Sequence, residues 1–111
     1  MSETSTDVAV RDNPDRSRYE ILLADEVVGF SAYQLADRRV TLAHVEVDPA
    51  HGGRGLASHL VRAQLDDAAQ RGHEVVPVCP FVRKTIADHP DRYLDLVPRG
   101  ERARFGLPDQ D

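Results

Sequence analysis

Apolar and polar residues alternate over three stretches in the first half of the chain, which predicts three short strands. The stretches are residues 19–23, 27–35 and 39–47. The segments that join them, residues 24–26 and 36–38, are polar and short enough to be hairpin turns. We therefore expect an antiparallel meander.

The apolar period then changes from two to that of a helix. Gly72 follows as a helix stop, and residues 74–79 read as a fourth strand. Pro80 can begin a second helix that runs to about His89, where Pro90 ends it. Residues 93–97 are expected to form a last strand or an extended cover. The apolar residues at helical spacing are Leu56, Leu60, Val61, Leu65, Ala68 and Ala69.

A helix between the third and fourth strands makes a strand-helix-strand unit, so these two strands are expected to be parallel. The fold class is therefore α+β, a mixed and mostly antiparallel sheet with helices packed on it. Residues 1–15 and 98–111 are polar and rich in helix and strand breakers. We interpret them as a disordered leader and a flexible tail around a single domain at residues 16–97.

Composition and charge exclude several classes of function. The 111 residues carry a net charge of -5 with no basic stripe, which argues against a nucleic-acid binder. No apolar run is long enough to cross a bilayer. The single cysteine cannot form an internal disulfide, and this favours a cytoplasmic protein. The 41% hydrophobic content supports only a thin core, so we expect a monomer or a weak homodimer.

Three glycines within four residues lie between the third strand and the first helix, at Gly52, Gly53 and Gly55. Such a loop lets backbone amides and the positive end of a helix dipole approach an anion. A dinucleotide fingerprint would need glycine at Ser58, and a nucleoside-triphosphate loop would need Gly-Lys-Ser/Thr; neither is present. The remaining alternative is a glycine-rich helix entry that binds nothing.

The stretch VEVDPAHGGRGLASHLV resembles motif A of the GNAT N-acetyltransferase superfamily, Arg/Gln-x-x-Gly-x-Gly/Ala. Gly55 and Ala57 match this pattern, whereas Gly52 stands where the superfamily usually has Arg or Gln. The downstream segment resembles the short single-domain branch, whose members lack the helices between the first two strands, and the short turn at residues 24–26 fits that truncation. The resemblance implies a minimal GNAT-like fold with a splayed parallel strand pair, and it implies acetyl-CoA as cosubstrate.

The resemblance also implies where the cosubstrate binds. The backbone of the third strand at Val45, Glu46 and Val47 would meet the pantetheine arm like an added strand. Phe81 and Lys84, on the second helix, would flank the pantetheine or adenine end. The residues expected to hold the pyrophosphate are Gly52, Gly53, Arg54, Gly55, Leu56, Ala57 and Ser58. His51 and His59 flank this loop and are expected either to contact phosphate or to be solvated.

Acetyl transfer to an amine needs a base, and Glu46 is the first candidate because it interrupts an apolar strand beside the glycine loop. His44 lies two residues away and therefore on the same face, where it can relay a proton or orient Glu46. The alternative is that both residues simply lie on the wet side of the sheet.

Cys79 and Tyr93 are the other catalytic candidates. Cys79 precedes a predicted helix, whose N-terminus would favour a thiolate that takes the acetyl group covalently. The alternatives are that Cys79 only lines the thioester pocket, or that it is a buried apolar residue. Direct transfer is the preferred route. Tyr93 is a candidate general acid, with an aromatic cover of the core edge as the equal alternative.

Other function classes fit less well. His44-Val45-Glu46 followed by Cys79 faintly resembles a zinc deaminase signature, but the second cysteine would fall at Val82, so no metal is expected. The serious alternative is a CoA or acyl-CoA binding module without turnover, and a third is an interaction domain without cofactor. The expected acceptor is a small-molecule or peptide and protein amine, weakly favoured by the acidic net charge.

Overall fold

A computed structural model describes residues 8–51 and 55–108. In these residues five strands form one sheet in the order β1-β2-β3-β4-β5. The strands are β1 (Val8–Asn13), β2 (Arg18–Leu23), β3 (Glu26–Ala36), β4 (Arg39–Val47) and β5 (Glu74–Pro77). The first four pair antiparallel, and β4 pairs with β5 in parallel, as predicted. The α+β fold class is confirmed.

Within the described residues, four α-helices follow the meander: α1 (Leu56–Arg71), α2 (Pro80–Asp88), α3 (Pro90–Tyr93) and α4 (Arg99–Arg102). Helix α1 connects β4 to β5 and packs its apolar face on the sheet. Gly72 ends it in the left-handed conformation that glycine adopts without strain. Pro80 is the first residue of α2, as predicted. None of the described helices is long and apolar enough to cross a membrane.

The short hairpin predicted between β2 and β3 is present. Ala24 and Asp25 both have positive φ angles, which is the backbone of a two-residue turn that matches the twist of the strands. This turn is not the family truncation, however. The chain has one strand more at its beginning than predicted, so the shortened connection is the turn at residues 14–17, between β1 and β2.

The prediction of a disordered leader is wrong for residues 8–13, which form β1 along the whole length of β2. The strand has little sequence signal because it is an edge strand, in which Val10 packs against the core whereas Val8 is exposed. Its polar residues are held by side chains of β2 and β3. The Arg11 side chain donates to Glu20, and Tyr33 donates to Asp12.

The predictions for the chain end also need correction. Residues 93–97 are not a strand: α3 ends at Tyr93 and a 3-10 turn follows at Leu94–Leu96. The region predicted as a flexible tail forms α4 and a further 3-10 turn, and it buries Phe105 and Leu107 in the main core. Two isolated apolar residues in a polar segment show no periodicity, so only tertiary packing identifies them.

The face of the sheet opposite α1 carries a buried carboxylate. Glu20 is only 2% exposed and accepts hydrogen bonds from Arg11, Arg18 and Asn13. Burial alone would raise its pKa, but these three donors outweigh burial and hold the pKa below its usual range. Arg18 also stacks on Phe30, its guanidinium carbon 4.8 Å from the ring centre. This polar network therefore takes the place of an apolar cover on that face.

Candidate functional site

Strands β4 and β5 separate halfway along β4, and this opening is the most distinctive feature of the sheet. Their pairing ends at Leu42 and Pro77, whereas β4 continues for five residues to Val47. Beyond the last rung, the N–H of Cys79 donates to the carbonyl of Leu42 at 3.0 Å. The splay predicted between the parallel strands is thus present.

Two local features produce the separation. The register pairs Leu42 with Tyr33 and His44 with Ala32, so Ala43 is an extra residue in β4, a bulge that bends the strand. The end of β5 is capped by Arg83 of α2, whose guanidinium donates to the carbonyls of Pro77 and Val78 at 3.1 and 2.8 Å. These bonds tie the end of β5 to α2. The sequence gives no local signal for either feature.

Beyond the bulge, β4 exposes backbone groups to the opening. The N–H of Asp48 donates to Val28 on the β3 side at 2.7 Å. Because N–H and C=O directions alternate along a strand, the backbone groups of Glu46 also face β3, while those of Val45 and Val47 face the opening. This edge can receive an extended ligand as an added strand.

A concavity lies between the end of β4 and the starts of α1 and α2. Its lining brings together most of the described residues that were predicted to contact the cosubstrate. Among the described residues, the lining includes no carboxylate. The lining residues are Val47, His51, Gly55, Leu56, Ala57, Ser58 and Phe81.

The first turn of α1 contributes only donors to this concavity. Gly55 precedes the helix with φ of 72°, and no side chain of the described residues caps the helix there. The first intrahelical bond runs from the N–H of His59 to Gly55. The N–H groups of Leu56, Ala57 and Ser58 are therefore free of helical partners and, with the helix dipole, favour an anion. Gly52, Gly53 and Arg54 lie outside the described residues.

Glu46 and His44 lie together on the face of the sheet opposite α1. His44 Nε2 is 3.0 Å from Glu46 Oε1, and the two side chains are 60% and 63% exposed. The strand periodicity therefore predicted correctly that they share a face. The ring of His44 also lies against Phe30, with 6.0 Å between centroids. The carboxylate is solvated, oriented by an imidazole, and placed on the strand that borders the opening.

The backbone of Cys79 borders the opening, whereas its side chain is buried in the core. It is a free thiol, 6% exposed, and it is the N-cap residue of α2. Its side chain belongs to the main core cluster with Val82 and Ile86. The hydrogen bond of Glu46 runs to His44, not to Cys79. The structure thus places the Glu46 side chain in solvent and the Cys79 side chain in the apolar core.

Tyr93 is a core residue of α3, only 1% exposed. Its ring lies edge-on to His89, at 6.3 Å between centroids. Among the described residues its hydroxyl has no hydrogen-bond partner. This burial matches an aromatic cover of the core, and the unpaired hydroxyl is the one feature that keeps Tyr93 a candidate acid.

The two residues predicted on α2 differ in their surroundings. Phe81 lines the concavity and remains 38% exposed. Lys84 points into solvent and pairs with Asp88 at 3.0 Å, one turn along the helix. In the part of the chain that the structure describes, no three His, Cys, Asp or Glu side chains converge as a metal site would require.

Two further residues lie at the site: Gly29, which the sequence analysis missed, and His51, which was expected either to contact phosphate or to be solvated. Gly29 of β3 faces Glu46 so closely that a Cβ there would lie 2.8 Å from the Glu46 carbonyl oxygen. His51 lines the concavity with a buried Nδ1 that has no partner among the described residues. Gly29 lies inside a strand pattern, where a glycine signals close backbone approach, so the sequence did contain a signal for it.

The comparison with known protein families gives one match over most of the chain. The model of the family described as GCN5-related N-acetyl-transferase matches residues 18–96. This range contains β2 to β5, α1, α2 and every described residue of the site.

Relatives with curated sequences carry the name Protein NATD1. The mouse protein (Mus musculus) is 32% identical over 67 residues, which are 59% of this chain and 61% of that protein. The human protein (Homo sapiens) is 32% identical over 67 residues, 59% of each chain. These matches span only about three fifths of the relatives' length. The frog protein (Xenopus tropicalis) is 27% identical over 99 residues, 86% of this chain and 90% of that protein.

Solved structures with the same fold are more distant in sequence. A GCN5-like protein from Staphylococcus aureus, determined by NMR, aligns with a TM-score of 0.58 at 18% identity over 81% of this chain and 87% of that one. The ribosomal-protein-alanine N-acetyltransferase from Brucella melitensis aligns with a TM-score of 0.53 at 24% identity over 68% and 63%. At sequence identities below 25%, these similarities support the fold and nothing further.

Proposed function

Because this chain belongs to the family of GCN5-related N-acetyltransferases, we propose that it transfers the acetyl group of acetyl-CoA to an amine. The observation that carries the proposal is the opening between β4 and β5. It joins an unpaired strand edge to an uncapped helix N-terminus, and an oriented carboxylate lies on the same strand. A long ligand with an amide-rich arm and a pyrophosphate suits this arrangement.

Different groups of the protein would hold the different parts of acetyl-CoA. The backbone of Val45 and Val47 would pair with the amides of the pantetheine arm, and Phe81 would cover it. The first-turn amides of α1, from Leu56 to Ser58, would hold the pyrophosphate, which is the part of the ligand that needs donors. When bound, acetyl-CoA supplies a thioester carbonyl that an amine can attack, with the CoA thiol as leaving group.

Glu46 would be the base of the reaction. An acceptor amine is protonated at neutral pH and must lose a proton before its lone pair can attack, and the Glu46 carboxylate would take it. His44 would fix the carboxylate through Oε1, which leaves Oε2 to face the acceptor. Tyr93 is the proposed acid that returns a proton to the leaving CoA thiolate, because its hydroxyl has no partner among the described residues.

The acceptor we propose is a peptide or protein amine. The face that carries Glu46 is an exposed sheet surface, where Phe30 lies between Arg18 and His44. Such a flat surface suits an extended chain better than an enclosed small molecule. The net charge of -5 and the exposed carboxylate favour a cationic group.

Two variants test the catalytic roles. Glu46→Gln keeps the shape of the side chain but removes the base, so turnover should fall by about 10²- to 10⁴-fold while the affinity for CoA stays unchanged. Cys79→Ala should keep most of the turnover, since direct transfer needs no thiol on the enzyme. The measurements are CoA release in the presence of a peptide amine and CoA binding by calorimetry.

Other results would change the proposal in defined ways. Loss of turnover in Cys79→Ala, with an acetyl mass on the wild-type protein, would replace direct transfer by a covalent route through Cys79. Tight CoA binding by a wild-type protein that never acetylates an amine would instead identify a binding module.

A further inference from the structure

Two arginines on the face of the sheet opposite α1 share a single buried carboxylate. The Nε of Arg11 donates to Glu20 Oε1 and the Nε of Arg18 donates to Glu20 Oε2, each at 2.8 Å. The Glu20 side chain is 2% exposed, whereas those of Arg11 and Arg18 are 57% and 25% exposed. One guanidinium would be enough to neutralise Glu20, so the second leaves the cluster with a positive charge.

The two guanidinium groups keep most of their donors for another partner. Each bonds to Glu20 through Nε alone, and in the part of the chain that the structure describes neither has a second hydrogen bond or ion pair. The N–H groups on the Nη atoms lie in the plane of the guanidinium, a geometry that fits both oxygens of a carboxylate. The arginine pair therefore offers a position for an anionic group at the surface.

The guanidinium of Arg18 is also held from a second side. Its central carbon lies 4.8 Å from the centre of the Phe30 ring. Asn13 Nδ2 donates to Glu20 Oε2, the oxygen that Arg18 contacts, at 3.3 Å. A side chain that is already ordered loses less conformational entropy on binding than a free one. Arg18 is therefore the main anchor of the pair, and the more exposed Arg11 adds charge beside it.

The arginine pair lies across Phe30 from the candidate base. Glu20 of β2 is opposite Phe30 of β3, which is in turn opposite Glu46 of β4. Neighbouring strands are about 4.8 Å apart, so the backbones of Glu20 and Glu46 are about 10 Å apart. The Phe30 ring contacts Arg18 on one side and lies 6.0 Å from the His44 ring on the other. An acceptor whose amine reaches Glu46 can thus extend over Phe30 to the arginines.

We propose that Arg11 and Arg18 bind an acidic side chain of the acceptor, so that the preferred substrate is a peptide amine followed by an acidic residue. This inference rests on the proposed function, since it concerns the acceptor of the same reaction. In an extended peptide the first and third residues point to the same side about 7 Å apart, and a glutamate side chain spans the rest of the distance. The arginines bind the acceptor and take no part in proton transfer at Glu46.

The test uses two peptides with a free N-terminal amine that differ only at the third residue, Glu or Gln. The wild type should prefer the Glu peptide by about five- to tenfold in kcat/KM, mainly through KM, as expected for a partly exposed, bidentate ion pair. Arg18→Gln should bring this ratio close to one, and Arg18→Lys, which keeps the charge without the planar fork, should give an intermediate ratio. Arg39→Gln is the matched control, because Arg39 pairs with Glu74 at the other end of β4, and it should keep the wild-type ratio. Melting temperatures show that each variant is folded.

The Nε–H signals of the arginines in NMR spectra give a readout that needs no turnover. The Glu peptide should shift the signals of Arg11 and Arg18 at concentrations at which the Gln peptide does not. Equal kcat/KM for the two peptides, or a wild-type ratio in Arg18→Gln, would overturn the arginine site without affecting the proposed acetyl transfer. Selective shifts at both arginines without acetylation of either peptide would support the site and contradict the proposed function. The absence of both shifts and acetylation would contradict both.

Discussion

Gly29 illustrates how a single residue controls the position of the candidate base. It lies in β3 directly opposite Val47 of β4. A Cβ at this position would be 2.8 Å from the carbonyl oxygen of Glu46 and 3.0 Å from the Val47 side chain. The neighbour at the shorter distance is backbone, so β4 itself would have to shift. Glycine thus allows the edge of the opening and the carboxylate to keep their places.

We expect Gly29→Ala to destabilise the fold by about 1–3 kcal/mol, the usual cost of overpacking. It should also weaken CoA binding, because the displaced strand carries the amides of Val45 and Val47. Chemical denaturation and calorimetry measure the two effects. Gly100→Ala is the matched control, since a Cβ there meets nothing within 4 Å. Equal behaviour of the two variants would show that β4 tolerates the added methyl group.

At the scale of elements, α1 is attached to the sheet by polar contacts at its C-terminal half. Tyr19 of β2 donates to Asp67 of α1, which also pairs with Arg71 at 3.1 Å. Tyr33 of β3 donates to Asp12 of β1 at 2.7 Å, and Asp12 in turn pairs with Arg71 of α1 at 3.8 Å. These contacts lie at the opposite end of α1 from the glycine loop. They hold the helix in place, so that its N-terminus stays directed at the concavity.

These tyrosines give the fold a dependence on alkaline pH. Burial, followed by the hydrogen bond to a carboxylate, raises the pKa of both phenols, that of Tyr33 to about 12. Since the unfolded value is near 10, the folded state favours the protonated phenols. Their contribution to stability is therefore complete below pH 10 and is lost as the pH rises toward 12.

We expect the free energy of unfolding of the wild type to fall more steeply between pH 9 and about pH 11.5 than that of Tyr33→Phe. Urea titrations at a series of pH values measure this slope. Tyr19→Phe should flatten the dependence in the same way. Parallel curves for the wild type and both variants would show that neither phenol is linked to folding.

For the molecule as a whole, the sequence predicted what periodicity and turn chemistry encode. The meander, α1 with its Gly72 stop, α2 after Pro80 and the parallel β4–β5 pair all follow local rules, and all are present. The edge strand β1 and the buried residues Phe105 and Leu107 were missed because their stability comes from partners distant in sequence.

The candidate site was likewise predictable only in part. The shared face of His44 and Glu46 follows from strand geometry, and the lining by Gly55 to Ser58 follows from the loop motif. The burial of Cys79 and Tyr93, the cap that Arg83 places on β5 and the unpaired nitrogen of His51 depend on packing between elements. No pattern within a short stretch of sequence contains that information.

The most direct test of the central claim, that acetyl-CoA binds in the opening between β4 and β5, is an amide NMR titration of the labelled 12.3 kDa protein with acetyl-CoA. We expect the largest shifts at the amides of Val45, Val47 and the first turn of α1, with little change at the C-terminal end of α1. Shifts confined to other surfaces, or none at saturating acetyl-CoA, would contradict the account.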